Sequence, residues 1–299
     1  MLGSPPRLAL ALRVPPPFQI VLIQPAGFAP ARALVPTAEM LYFGLRRLGR
    51  MARIEANGFL RDGMNIVVGA HLLDAAVATT MPASTIVYNT EPVGQRQHTL
   101  DALRPFAERF PVWDYSARNA EAIVRAVPGA RVRVVEAGYT PEFTRVRHAA
   151  HKDIDVLFFG QPSPHRRALL DALAAAGLVV RHLDATYDRD RDPWLARARL
   201  VLALHFEPGT PFAVGRVVYP LSNRCAVVVE RDDGDDVPAD LAPGVALADR
   251  GSIVEVCRRL VRDDAARRAL AERGFACIAR RNFAASLDAA LAAESAGHG

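Results

Sequence analysis

Cysteine is scarce in this chain: there are three in 299 residues, Cys225, Cys257 and Cys277, spaced 32 and 20 apart. That spacing suits neither a disulfide framework nor a zinc cluster, so the three read as reduced, buried, small apolar residues. No apolar run reaches the roughly 20 residues that span a bilayer. The N-terminal MLGSPPRLALALRVPPPF is broken by Arg13 and prolines before it makes the core of a signal peptide. A soluble cytoplasmic protein is expected. There is also no basic stripe with interleaved aromatics. Arginine supplies nearly all the positive charge and is scattered, and 37 basic against 32 acidic residues leave a net charge of only +5. This balance points to anionic ligands rather than a nucleic-acid surface. Gly-x-Gly-x-x-Gly, Walker, Gly-x-Ser-x-Gly and His-Glu-x-x-His patterns are all missing. Their absence removes an ordinary dinucleotide site, a P-loop, a hydrolase elbow and a metalloprotease helix.

What the chain does have is short apolar runs alternating with helical sequence. At 51% hydrophobic and 23% charged its composition is globular, and its length favours two domains. After a proline-rich lead over residues 1–17, read as disordered, FQIVLIQP has strand length and TAEMLYFGLRRLG has apolar residues at helical spacing. NIVVGAH, STIVYNTEP, FPVWDYS and RVRVVEAGY follow as further strands. The pattern restarts at Asp153 with DIDVLFFG, the helix RRALLDALAAAG, and the strands LVVRHLD, ARLVLALHF and CAVVVERDD. Two helices close the chain, SIVEVCRRLVRD and one long helix over residues 264–295. Strands apolar on both faces and alternating with helices predict parallel sheets covered on both sides. The expected fold is therefore α/β, with two Rossmann-like domains facing across a cleft, residues 18–148 and 149–275. A terminal helix, 276–299, would pack back on the first domain.

Two places gather chemistry. In DIDVLFFGQPSPHRR the strand ends at Gly160 and a helix follows, so unpaired N–H groups and Arg166 or Arg167 are predicted to meet an anion there. Arginines at a helix N-terminus oppose its dipole, which an anion would relieve; the alternative is a tight turn with solvated arginines. In LHFEPGTPFAVGRVVYPLSNR a buried strand delivers His205 and Glu207, and a helix opening near Phe212 carries Arg216, a second cluster aimed at the same cleft. The acidic run ERDDGDD and the alternating DRDRD read as solvated, self-neutralising loops rather than metal ligands. Asp114 of VWDYS reads as a base or equally as a turn residue.

Taken in order, YNTEPVGQ, VWDYSARN, EAGYTPEF, DIDVLFFG with its two arginines, YDRDRD, LALHFE and GRVVYPLSNRCAVVVE resemble bacterial glycosyltransferase-like proteins of the B-type fold, over residues 18 to 285. The resemblance implies a nucleotide-diphosphate sugar as co-substrate, with no separate cofactor and no metal. It places Gly160, Gln161, Arg166 and Arg167 near the diphosphate and Tyr187 near the base, with Glu207, Arg216 and Asn223 around sugar and ribose. The acceptor, a small molecule, glycan or peptide, would lie near Gly69, His71, Asn89, Glu91, Asp114 and Tyr115, with His71 or Glu91 as base. One position departs from the pattern: Ala213 stands where the Phe-Glu-x-x-Arg turn carries a donor-orienting carboxylate, and Glu207 is the candidate substitute. The alternatives are a non-catalytic nucleotide-sugar-binding protein, or another two-domain α/β enzyme such as a nucleotide-sugar epimerase.

Overall fold

The computed structural model describes residues 17–93, 97–206, 214–232 and 237–296. Glu207, Ala213 and the proline-rich lead up to residue 16 lie outside them. The first half of the chain lays down β1 (Phe18–Leu22), α1 (Val35–Arg47), β2 (Ala52–Ala56), β3 (Met64–Val68), β4 (Thr85–Asn89), α2 (Gln97–Ala107), β5 (Val112–Asp114), α3 (Ala117–Ala126) and β6 (Val132–Val134). The pairings are all parallel, in the order β2-β1-β3-β4-β5-β6. Composition explains this: β1 and β4 are buried at every position, and each fully buried Val, Ile, Leu or Phe contributes about 1.5–3 kcal/mol. That gain is available on both faces only where helices cover both.

The second half repeats the pattern with β7 (Ile154–Phe159), α4 (Pro164–Ala175), β8 (Val180–Leu183), α5 (Asp192–Arg197), β9 (Ala198–Ala203), α6 (Gly215–Ser222), β10 (Ala226–Glu230), β11 (Ala246–Ala248), α7 (Ile253–Arg262), α8 (Asp264–Arg280) and α9 (Phe283–Ala296). Its sheet is again parallel, ordered β11-β10-β9-β7-β8. One apolar core runs through both halves, joining Ile20 and Trp113 to Phe159, Tyr219 and Phe283. Among the described residues no helix is long and apolar enough to cross a membrane.

Two elements differ from the sequence expectation. β2, with sequence ARIEA, is an exposed edge strand; it lacks the apolar signal because only β1 pairs with it. The single helix expected over 264–295 is two. The Tyr139 backbone accepts from Phe283 N (3.2 Å) and donates to the Arg281 carbonyl (2.7 Å), which draws residues 281–283 out of the helical ladder. α9 then returns to pack on α1, where a Cβ on Gly44 would stand 2.9 Å from Leu287 Cδ2 and Phe283 Cδ1. Glu294 of α9 accepts from Trp113 Nε1 (3.0 Å) and Arg133 Nε (3.2 Å) of the first sheet.

Strand order locates the site. In each sheet the order reverses once, between β1 and β3 and between β7 and β9. The crevice outside the carboxyl ends of strands at such a reversal is where open α/β sheets receive ligands.

Candidate active site

Residues from both reversals line one cleft of about 500 Å³ between the sheets. On the second-domain side β7 ends at Gly160, whose φ of +143° is glycine territory. A Cβ there would lie 2.9 Å from Arg216 Nη1 and 3.4 Å from Arg166 Nη1. His182 Nε2 donates to the Gly160 carbonyl (2.8 Å). Ser163 caps α4 by accepting from Arg166 N, while its hydroxyl donates to the Phe206 carbonyl (2.7 Å).

Arg166 is 1% exposed. Its guanidinium donates to the carbonyls of His205 (2.8 Å), Gln161 (2.7 Å) and Leu204 (2.9 Å), between the rings of Phe158 and Phe206. The conflict between this charge and the α4 dipole is thus relieved by backbone carbonyls, and the side chain ties the β7 turn to the end of β9. Arg167 is exposed and stands outside the cleft lining.

Besides the engaged Arg166, the guanidiniums in the cleft lining are those of Arg191 and Arg216, and the Glu91, Asp184 and Glu230 carboxylates line it too. Neither Arg191 nor Arg216 makes a hydrogen bond or ion pair among the described residues, and Arg191 Nε is buried without a partner. Arg191 lies over the Phe159 ring, 4.8 Å from its centroid. Burial opposes both charges, and Arg191 further opposes Arg216, whereas the Glu91 carboxylate favours it. Two desolvated guanidiniums beside a glycine turn form a cradle for an anion.

The loop that presents Arg191 is held by its neighbours. Arg145 donates to Glu39 (2.9 Å) and Asp192 (3.1 Å) and stands 3.6 Å from Asp188. Arg189 pairs with Glu39 (2.9 Å), and Arg32 with Asp190 (2.8 Å). Glu230, fully buried at the end of β10, also lines the cleft. Its carboxylate sits between His165 Nε2 (2.6 Å) and the His205 backbone N–H (3.0 Å). The start of the ERDDGDD run is therefore strand rather than solvated loop, and residues 233–236 of it lie outside the described set.

On the opposite side His71 follows β3 and Glu91 follows β4, with His71 Nε2 and Glu91 Oε1 3.8 Å apart. Burial lowers the His71 pKa and Glu91 partly offsets it, so the imidazole is neutral and able to accept a proton near pH 7. Thr90, between β4 and Glu91, has a buried hydroxyl without a hydrogen-bond partner among the described residues. Below them Asp114 is fully buried. It accepts from Asn89 Nδ2 (2.7 Å) and Ser116 N (2.8 Å), and desolvation pushes its pKa up to about 7.

The same two-sheet architecture recurs in solved structures. HepE of Anabaena in complex with UDP matches at TM-score 0.58 and 13% identity, over 94% of this chain and 100% of that one. Sucrose-phosphate synthase of Thermosynechococcus elongatus matches at 0.62 and 10%, over 94% and 100%. T4 phage BGT in complex with its UDP-glucose substrate matches at 0.56 and 10%, over 91% and 97%. The fold is that of the B-type glycosyltransferases. No family model and no curated protein matches the sequence, so the likeness lies in the fold.

The B-type cleft gathers His71, Glu91, Tyr115, Gly160, Gln161, Arg166, Tyr187, His205 and Arg216. Gly69, Asn89 and Asp114 stand behind its surface as support. Asn223 is elsewhere: its Oδ1 accepts from Arg145 N and Val146 N (both 2.9 Å) and its Nδ2 donates to the Tyr219 carbonyl, so it clamps the connection between the sheets. Arg191 and Glu230 are cleft residues that the sequence reading passed over. The signal available was the place of each just beyond or at the end of an element flanking the β7/β9 reversal.

Proposed function

We propose that the protein transfers a sugar from a nucleotide-diphosphate donor to an acceptor hydroxyl, with arginine side chains rather than a metal supplying the positive charge. The observation that carries this reading is a pair of guanidiniums, Arg191 and Arg216, with no hydrogen-bond or ion-pair partner among the described residues, beside Gly160 at a strand-order reversal and lining the same cleft as His71 and Glu91. That HepE is solved with UDP and BGT with UDP-glucose supports it. The acceptor oxygen bonds to the anomeric carbon as the bond from that carbon to the diphosphate oxygen breaks. The electron pair leaves with the diphosphate, the acceptor proton passes to His71 or Glu91, and direct displacement inverts the anomeric centre. Arg191 and Arg216, held in position beforehand, stabilise the growing negative charge. The Glu91 carboxylate stabilises the imidazolium that His71 becomes.

Donor binding tests the reading. UDP and UDP-glucose should raise the melting temperature of the wild-type protein, and Arg191→Ala or Arg216→Ala should each weaken UDP about 10–100-fold, the worth of a charged hydrogen bond. Unchanged affinity in both variants would sink the diphosphate site. A second reading, donor binding without turnover, draws on Ala213 in place of a carboxylate. It predicts the same binding with no donor hydrolysis and no product.

A further inference from the structure

Resting on the glycosyl-transfer reading, we propose that the acceptor is a small, largely apolar alcohol or phenol that presents a single hydroxyl. The first-domain wall of the cleft is made by Phe28, Pro30, Leu34, Pro36 and Met40, from the segment after β1 and the start of α1, together with Leu72 beyond β3. Phe28 is 44% exposed at its edge, a large aromatic surface with no core to join. Apart from Thr37 at the start of α1, the polar side chains of this wall among the described residues gather past the ends of the adjacent strands β3, β4 and β5: His71, Thr90, Glu91 and Tyr115, with the Thr90 hydroxyl itself buried and His71 and Glu91 the ionisable pair. Tyr88 also lines the wall but gives its hydroxyl to the Val135 carbonyl (2.9 Å).

This distribution discriminates among acceptor classes. A glycan carries a hydroxyl on nearly every carbon, and each one buried without a partner loses its hydration uncompensated. A peptide needs backbone partners, and Pro30 and Pro36 have no N–H to donate. An aromatic or alicyclic alcohol gains from every part of the wall in proportion to the area it buries. Its one hydroxyl falls to His71 and Glu91, whose side chains reach the cleft surface. Across the cleft, the two guanidiniums leave the donor half to the charged partner, so the two substrates sort by chemistry.

The full chain can be titrated calorimetrically with a naphthol, glucose, maltose and a serine-containing peptide, and separately with UDP. The naphthol is expected to bind at least roughly ten-fold tighter than the other three acceptor probes. Phe28→Ser removes exposed ring surface, and Ala33→Asp puts a carboxylate on an exposed position of the wall. Both spare the buried core, and each is expected to weaken the naphthol by roughly the same factor. With UDP-glucose present, mass spectrometry should find the naphthyl glycoside. Tighter binding of a sugar or the peptide, naphthol affinity indifferent to both substitutions, or no binding of any acceptor probe overturns the proposal. The UDP titration keeps the two readings apart. Naphthol bound with UDP ignored removes glycosyl transfer and leaves the apolar site, whereas UDP bound with glucose preferred to the naphthol does the reverse.

Discussion

At the end of β3 the chain turns through Gly69, and at the end of β7 it turns through Gly160; both have positive φ, +94° and +143°. A Cβ on Gly69 would stand 2.8 Å from Leu34 Cδ1 and 3.3 Å from Ile23 Cβ, while one on Gly160 would stand 2.9 Å from Arg216 Nη1. The backbone device is the same on both sides of the cleft, and only what it is pressed against differs. On one side the neighbour is packed hydrocarbon, on the other the tip of a charged side chain. Two copies of one strand-turn-helix grammar thus make an apolar wall with one polar corner and a cationic wall. The chemistry of a cleft in this fold is set by the residues that fill the turns, while the turns themselves set only where the cleft is.

The largest expected effect strikes the polar corner. His71→Ala should lower the transfer rate by about 10²–10⁴-fold, the usual worth of a general base, with UDP affinity retained, as steady-state kinetics beside calorimetry would show. In the wild type kcat/KM should fall as pH drops through the His71 pKa, which burial places below 6.5, and the variant should lose that limb. Loss of UDP affinity in His71→Ala would erase the division between the walls.

A pair of glycine substitutions sharpens the comparison next. Gly69→Ala meets both backbone strain and packed hydrocarbon, so chemical denaturation should show a loss of about 1–3 kcal/mol. Gly160→Ala also meets backbone strain, but its nearest obstacle is the tip of the Arg216 side chain, with Arg166 Nη1 and the Phe158 ring at ordinary contact distance, 3.4 Å. Its stability loss should be the smaller, and UDP affinity should fall because Arg216 is displaced. Equal stability losses with UDP affinity intact would remove the distinction.

The smallest effect concerns the support beneath the polar corner. The Asp114 carboxyl has its pKa raised to about 7 from an ordinary value of 3.8. The unfolded chain therefore releases this proton first, and the stability contributed by the protonated form is lost as pH rises through roughly 4 to 7. Asp114→Asn should flatten that part of the stability profile in urea titrations at stepped pH. An unchanged slope would mean that Asp114 is already ionised in the native state.

How much of this was legible beforehand depended on whether the cause was local. β1, β7, β9 and β10 announced themselves because strands buried on both faces are apolar on both, each here with only one polar residue. β2 was silent because an edge strand exposed to water needs only its partner. The break between α8 and α9 carries no glycine or proline, since the Tyr139 backbone, far off in sequence, makes it. In the site, DRDRD read as self-neutralising. Structurally, Asp188 and Asp192 go to Arg145, Asp190 to Arg32 and Arg189 to Glu39, which leaves Arg191 over for the cleft. Conversely Arg166, the most conspicuous charge in DIDVLFFGQPSPHRR, is absorbed by three carbonyls.

The sequence by itself determined the alternation of strand and helix, the two parallel sheets and the position of the Gly160 turn, because these follow from burial and local backbone preference. Which arginines face a ligand, which carboxylates are spent on pairs, and where the last helix breaks were decided only by the tertiary structure. A charge or a backbone N–H is free or engaged according to partners tens to hundreds of residues away, and nothing local to it records which.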